Sequence, residues 1–274
     1  MSAIQPDASR ATHSKARRSW ADIRGIEMLG WQAGLALVIG GFWEFASGRW
    51  FDAFFVSSPS AIGVRLARWL SDGSLWVHVW ATLWATSIGF AIGTAIGLVL
   101  GLWLGLSPFA ARLLDPFLSA LNALPKVALA PLFILWFGIG IESKVALAAI
   151  VVLFLVFLNT FTGVREVDQD LIDAVRMMKA RRSQVLGKVI IPSAASWVFA
   201  SLKISVPYAL IGAVLGEMIA ANRGLGYLVQ YAGAQLDTAG VFAALFAIAA
   251  LAVALNALVD VFQTRAQSWR TRGK

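Results

Sequence analysis

The chain has no cysteine, only two histidines and little charge: Asp, Glu, Lys and Arg make up 14% of its 274 residues. Without cysteine there are no disulfides, thiolate metal sites or cysteine nucleophiles. His13 lies in a polar tail and His78 among tryptophans, so neither an HExxH motif nor a histidine metal cluster can be assembled. Ser57, Ser58, Ser60 and Ser205 have no histidine at a workable spacing, which leaves nucleophilic catalysis without a base. A phosphate-binding loop is also missing, because Gly187-Lys188 lacks the earlier glycine and runs into Val189. The chain is therefore read as a non-enzyme with no catalytic, cofactor or metal residues. What it has in abundance is apolar surface: 59% of residues are hydrophobic, and the mean hydropathy is +0.74. A soluble domain averages about 45 to 50% apolar and about 25% charged, so this composition excludes an ordinary water-soluble fold and describes a multi-pass membrane protein.

A hydrocarbon core of about 30 Å takes roughly 20 apolar residues as a helix. Six windows qualify: Met28 to Ala46, Leu75 to Leu106, Asp115 to Phe137 (interrupted by Pro125 and Pro131), Val145 to Gly163, Ser193 to Ala221, and Gly240 to Phe262. The expected fold class is all-α, with six transmembrane helices. The expected organisation is a basic tail (1–27), a transmembrane domain (28–262) with a long charged loop (164–192), and a second basic tail (263–274). Sixteen Lys and Arg fall on one set of connections, including Arg10, Lys15, Arg17, Arg18, Arg24, Arg112, Arg176, Lys179, Arg181, Arg182 and the C-terminal tail. The alternate set holds Arg49, Arg65, Arg68, Lys144 and Arg223. Basic residues stay cytoplasmic, so both termini are expected there, with the first span acting as an uncleaved signal anchor. The net charge of +8 then records topology rather than nucleic-acid binding.

Several patterns carry packing information. Gly89, Gly93, Gly97, Gly101 and Gly105 form a ridge along one face of the second span, a seam for close helix packing either within or between subunits. Trp76, Trp80 and Trp84 precede it at four-residue spacing, which suits an interfacial belt or a cage for a cationic ligand. In Pro59 to Leu70, Ile62, Leu66, Trp69 and Leu70 share one helical face and Arg65 and Arg68 another, the pattern of a helix lying along a surface.

Within the charged loop, Leu171, Ala174, Val175 and Met178 stand at i, i+3, i+4 and i+7, and Asp168, Asp170 and Asp173 cluster at the start of the same short amphipathic helix. A second apolar set, Val185, Leu186, Val189 and Ile190, leads to Pro192 and back into the membrane. Asp173-Ala174-Val175, Lys179, Val189, Ile191 and Pro192 resemble the EAA loop of ATP-binding-cassette (ABC) importer permeases, EAA-x3-G-x9-I-x-LP, with the spacing kept throughout. Asp173, Val175 and Lys179 stand for the Glu, the second Ala and the Gly of that pattern. Leu114-Asp115-Pro116, Leu124-Pro125, Ala130-Pro131-Leu132, Trp136 to Gly140, Asn159-Thr160, Gly163-Val164, Gly216-Glu217 and Asn222 to Tyr227 are similar to the nitrate, taurine and alkanesulfonate branch.

The resemblance implies a type I importer permease in a bacterial cytoplasmic membrane, working as a homodimer. Its partners would be membrane lipid, an external solute-binding protein and a separate ATPase subunit that binds the ATP. It also implies that Leu171, Asp173, Ala174, Val175, Met178 and Lys179 couple to that ATPase through a cytoplasmic coupling helix, and that the cargo is nitrate, a sulfonate such as taurine, or a small heterocycle. A lysine in a left-handed turn costs about 1 kcal/mol, or else the two short helices around Lys179 run on as one; the continuous helix is the milder expectation. An ion-coupled carrier or channel is the alternative function, though no inverted repeat is evident. Charges within a bilayer cost roughly 2.5 to 3.5 kcal/mol on insertion scales and mark pathways or pairings. Lys126, Asn159, Lys203 and Glu217 are the translocation-path candidates, with Glu217 expected to pair across helices or hold an outer gate.

Overall fold

The computed structural model describes residues 9–267, with side chains for 27, 28 and 30–261. The basic positions of both tails lie outside the described side chains. Helices account for nearly all of it, and the chain divides into two units, 1–63 and 64–274.

In the first unit α1 (Ser9–Ala46) contains the first apolar window and starts well before it. A one-turn helix α2 (Ala53–Val56) follows, capped by the Asp52 carboxylate, which accepts from the Phe54 amide. Glu44, near the end of α1, accepts from the amide and hydroxyl of Ser60 at 2.9 and 2.7 Å, which ties down the start of α3 (Pro59–Ser71).

The second unit is built on α4 (Ser74–Leu106), α7 (Ile141–Arg165) and α10 (Ile191–Ile219). Every glycine of the α4 ridge meets α7: a methyl at Gly89 would fall 2.5 Å from Ala148 Cβ, at Gly97 3.0 Å from Val156 Cβ, and at Gly101 2.6 Å from Thr160 Cβ. The opposing row, Ala148, Val152, Val156, Thr160 and Val164, has the same four-residue repeat, so two flat faces zip backbone to backbone. The seam therefore lies within the subunit. Gly212 and Gly216 of α10 also press on α7, at Ala148 and Lys144. Van der Waals fit between small residues, rather than a hydrophobic drive, holds this three-helix core.

The third apolar window is not one straight helix. Pro125 has no amide to donate and forces Leu124 into extended backbone (φ −66, ψ 132). The result is α5 (Pro108–Ala123), a 3-10 turn over Lys126–Leu129 and α6 (Ala130–Phe137), bent by 86°. The fifth window extends further than expected at its start: α9 (Arg182–Val185) passes through a π turn at Leu186–Ile190 directly into α10, a continuous run of 38 residues. Pro192 falls where α10 takes over from the π turn, whose wider register accommodates the ring. Finally α11 (Leu225–Ala234) and α12 (Thr238–Gln267) close the bundle. Among the described residues four helices are long and apolar enough to cross a membrane, five if the bent pair counts as one span. The surface-helix pattern of Pro59 to Leu70 is realised in α3, whose Leu66 and Trp69 pack with Leu75, Leu225, Leu228 and Ala244, while Arg65 pairs with Asp237 at 2.6 Å. Leu70, placed on the same face by spacing, is half exposed.

Candidate functional site

Two regions at opposite ends of α10 concentrate polar chemistry. At its start lies the charged loop. The Asp168 carboxylate caps α8 (Gln169–Met177) by accepting from the Asp170 amide at 2.9 Å. The helix stops in a full reverse turn: the Lys179 amide donates to the Arg176 carbonyl at 2.8 Å and the Ala180 amide to the Val175 carbonyl at 3.3 Å. That paired bonding is the Schellman termination, which needs a left-handed residue after the cap. Here it is Lys179, at φ 60. The continuous helix expected from a lysine at this place is thus corrected. The two carbonyl bonds and the burial of Val175 and Ala180 behind the turn outweigh about 1 kcal/mol of strain.

The inward face of this loop also differs from its spacing. Ile172 is the buried residue, gathered with Val167 and Val185 and flanked by Val175, Ala180, Val189 and Ile190. Leu171, Met177 and Met178 point the other way, at 52, 80 and 81% exposure. Asp173, Ala174 and Lys179 are exposed beside them, and Asp173 makes an exposed pair with Arg176 at 3.4 Å. The segment is held to its own chain on one face and presents a bare apolar face on the other.

At the far end of α10 sits Glu217, 3% exposed. Its Oε2 accepts from the Thr82 hydroxyl and from the Gly226 amide, both at 2.9 Å. Thr82 Oγ1 in turn accepts from the Leu225 amide at 2.8 Å, and His78 Nδ1 accepts from the Gly224 amide at 3.0 Å. Three successive amides at the start of α11 are thereby capped, not by their own loop, but by side chains of α4 and α10. The acceptor role of Nδ1 requires a neutral imidazole at His78, whose ring stacks on Tyr227 at 5.7 Å. Gly224 has φ 123, and a Cβ there would collide with the Glu217 carboxylate. Lys144, also 3% exposed, donates to the Ile139 carbonyl and places its charge near Glu217. A cavity of about 580 Å³ opens beside this cluster, lined among others by Trp80, Trp84, Glu142, Lys144, Glu217 and Arg223.

The other path candidates do not converge on that cavity. Lys126 donates to the carbonyl and side-chain oxygens of Asn122 and lies 4.9 Å from the centre of the Phe154 ring. Asn159 donates to the Leu155 carbonyl one turn back on its own helix, at 2.8 Å. Lys203 pairs with Asp260 of α12 at 2.7 Å, both about half exposed. Sequence reasoning passed over His78, Thr82 and Lys144. A threonine in an apolar helix and a lysine counted with a loop give no sign that the fold will bury them around one carboxylate.

The long apolar helices define a multi-pass membrane protein, and comparison with known chains names the family. Residues 93–271 match the model of the binding-protein-dependent transport system inner membrane component. The chain is 36% identical over 239 residues to the riboflavin transport system permease of Chloroflexus aurantiacus, covering 87% of this chain and 85% of that one. It is 31% identical to a putative aliphatic sulfonates transport permease of Bacillus subtilis, covering 90% of each, and 32% identical to the taurine transport permease of Escherichia coli, covering 86% and 87%. In fold it is similar to the MetNI methionine ABC transporter (TM-score 0.56, 20% identity, 68% of this chain and 95% of that one). An amino acid ABC transporter aligns with TM-score 0.59 and 17% identity over 73% and 98%. The chain belongs to the binding-protein-dependent transport system inner membrane component family: it is a multi-pass permease subunit of an ABC importer. It is a transport component, not an enzyme, and the family implies an ATPase and a substrate-binding protein as partners. An ion-coupled carrier or channel is set aside.

Proposed function

We propose that the exposed face of α8, made by Leu171, Ala174, Met177 and Met178 with Asp173 and Lys179 at its margin, docks on the ATPase subunit and makes this segment the coupling helix. The observation that carries the reading is the two-sidedness of the loop: Ile172 and Val175 secure it to the permease while its other apolar face stands bare. An amphipathic helix in an aqueous loop needs an apolar groove to cover such a face. The side bearing this loop is cytoplasmic, as are both termini, and α1 supplies a first span that brings the total to six. Two copies of the chain assemble as a homodimer within lipid. ATP is bound by the ATPase, and the permease carries no cofactor of its own.

The cargo is a small organic solute of the kind named for the relatives, a sulfonate such as taurine or a small heterocycle, or nitrate, handed over by an external binding protein. Glu217 belongs to the outer end of the path, and Lys126, Asn159 and Lys203 to its remaining length. A pull-down of the detergent-solubilised chain from native membranes, with Ala174→Glu alongside, tests the coupling surface. Recovery of an ABC ATPase with the native chain and its loss with Ala174→Glu, at equal membrane insertion, supports the reading. Undiminished recovery with Ala174→Glu removes this face from the interface.

A further inference from the structure

We propose that His78, Thr82 and Glu217 form a latch on the start of α11, holding the outer end of α10 to α4 until ATP-driven movement of the loop end releases it. The inference rests on the coupling role proposed above for the α8–α9 loop.

The mechanical argument starts from continuity. Arg182–Ile219 is one continuous helical run, with a π turn at Leu186–Ile190 and Pro207 inside it, so Arg182 and Glu217 lie about 50 Å apart along it at 1.5 Å per residue. Displacement of the loop at one end is carried along this run to Glu217 at the other. What resists at the far end is the set of cross-helix bonds: Thr82 to Glu217, the Gly226 amide to Glu217, the Leu225 amide to Thr82 and the Gly224 amide to His78. These bonds are discrete and directional, three of them buried and the His78 bond partly so, and they break together rather than stretch, which is the behaviour of a two-state element. Thr82 is the keystone, since its one hydroxyl donates to the carboxylate and accepts from α11. The latch also forms part of the wall of the 580 Å³ cavity through Glu217, so its release changes the access to that space.

Thr86 is a built-in control. It lies one turn further along α4, is equally buried, and its hydroxyl makes no hydrogen bond among the described residues. Thr82→Val and Thr86→Val are the same isosteric change, and only the first touches the latch; Thr82→Ser keeps the hydroxyl. In the assembled transporter with its ATPase, ATP hydrolysis in the absence of binding protein should rise roughly tenfold in Thr82→Val, as expected for losing a buried hydrogen bond, and stay at the native level in Thr82→Ser and Thr86→Val. Hydrogen exchange of the 224–226 amides should accelerate when ATP and vanadate are added to the native complex. Equal hydrolysis in Thr82→Val and Thr86→Val, or exchange at 224–226 that ignores ATP in a complex with bound ATPase, overturns the latch. Failure of any ATPase to associate overturns the coupling function first, and the latch with it. Should Thr82→Val not assemble, the exchange measurement on the native complex decides alone.

Discussion

At the scale of single residues, Lys179 is the clearest case of a side chain working against its backbone. Its φ of 60 is a conformation that glycine adopts without penalty, so Lys179→Gly should raise the stability of the loop by about 1 kcal/mol, seen as slower proteolysis between α8 and α9 without loss of ATPase association. Asp72 gives a pH-dependent counterpart at the start of α4. The hydroxyl and amide of Ser74 hold its carboxyl below the ordinary value, with Arg68 adding a smaller attraction. A group whose folded pKa is lowered contributes stability above its unfolded pKa and loses it as pH falls through the folded one. The difference in Tm between the native chain and Asp72→Asn should therefore be present at neutral pH and vanish in acid. Neither residue announces this in the sequence: the EAA-like spacing pointed at Lys179, but only the paired carbonyl bonds show which of its two outcomes holds.

Among elements, the α4–α7 seam is where the sequence was most informative. A four-residue glycine repeat can only be a close-packing face, and the structure adds the partner: Ala148, Val152, Val156, Thr160 and Val164 of the same chain. A Cβ at Gly93 would strike the Ala149 carbonyl oxygen and lie 2.8 Å from Val152 Cβ. Backbone cannot yield as a side-chain tip can, so Gly93→Val should cost at least 1 to 3 kcal/mol and lower the Tm and yield in detergent. Gly41→Val in α1, where a Cβ meets nothing within 4 Å, should leave both unchanged. The Lys203–Asp260 pair of α10 and α12 is half exposed, and a double-mutant cycle should assign it no more than about 1 kcal/mol in detergent. The broken third span was legible in part, since Pro125 and Pro131 mark the interruption; its 86° angle was not, because proline forbids a straight helix without choosing the new direction.

For the molecule as a whole, composition and charge distribution by themselves determined that this is a multi-pass helical membrane protein without catalytic equipment. The reason is that the bilayer imposes one solution, the apolar helix of fixed length, on any chain that crosses it. The EAA-like spacing likewise carried the resemblance to the family that the comparisons show. Tertiary structure alone decided which buried polar groups meet. Glu217 was legible as a costly residue, yet its partners lie 135 residues away on α4 and nine residues ahead on α11. Lys126, Asn159 and Lys203, singled out on the same grounds, are satisfied separately along the bundle. Insertion cost acts on each residue alone and is written in the local sequence; satisfaction of a buried charge depends on which helices the glycine seam brings into contact, and that is settled only when they pack.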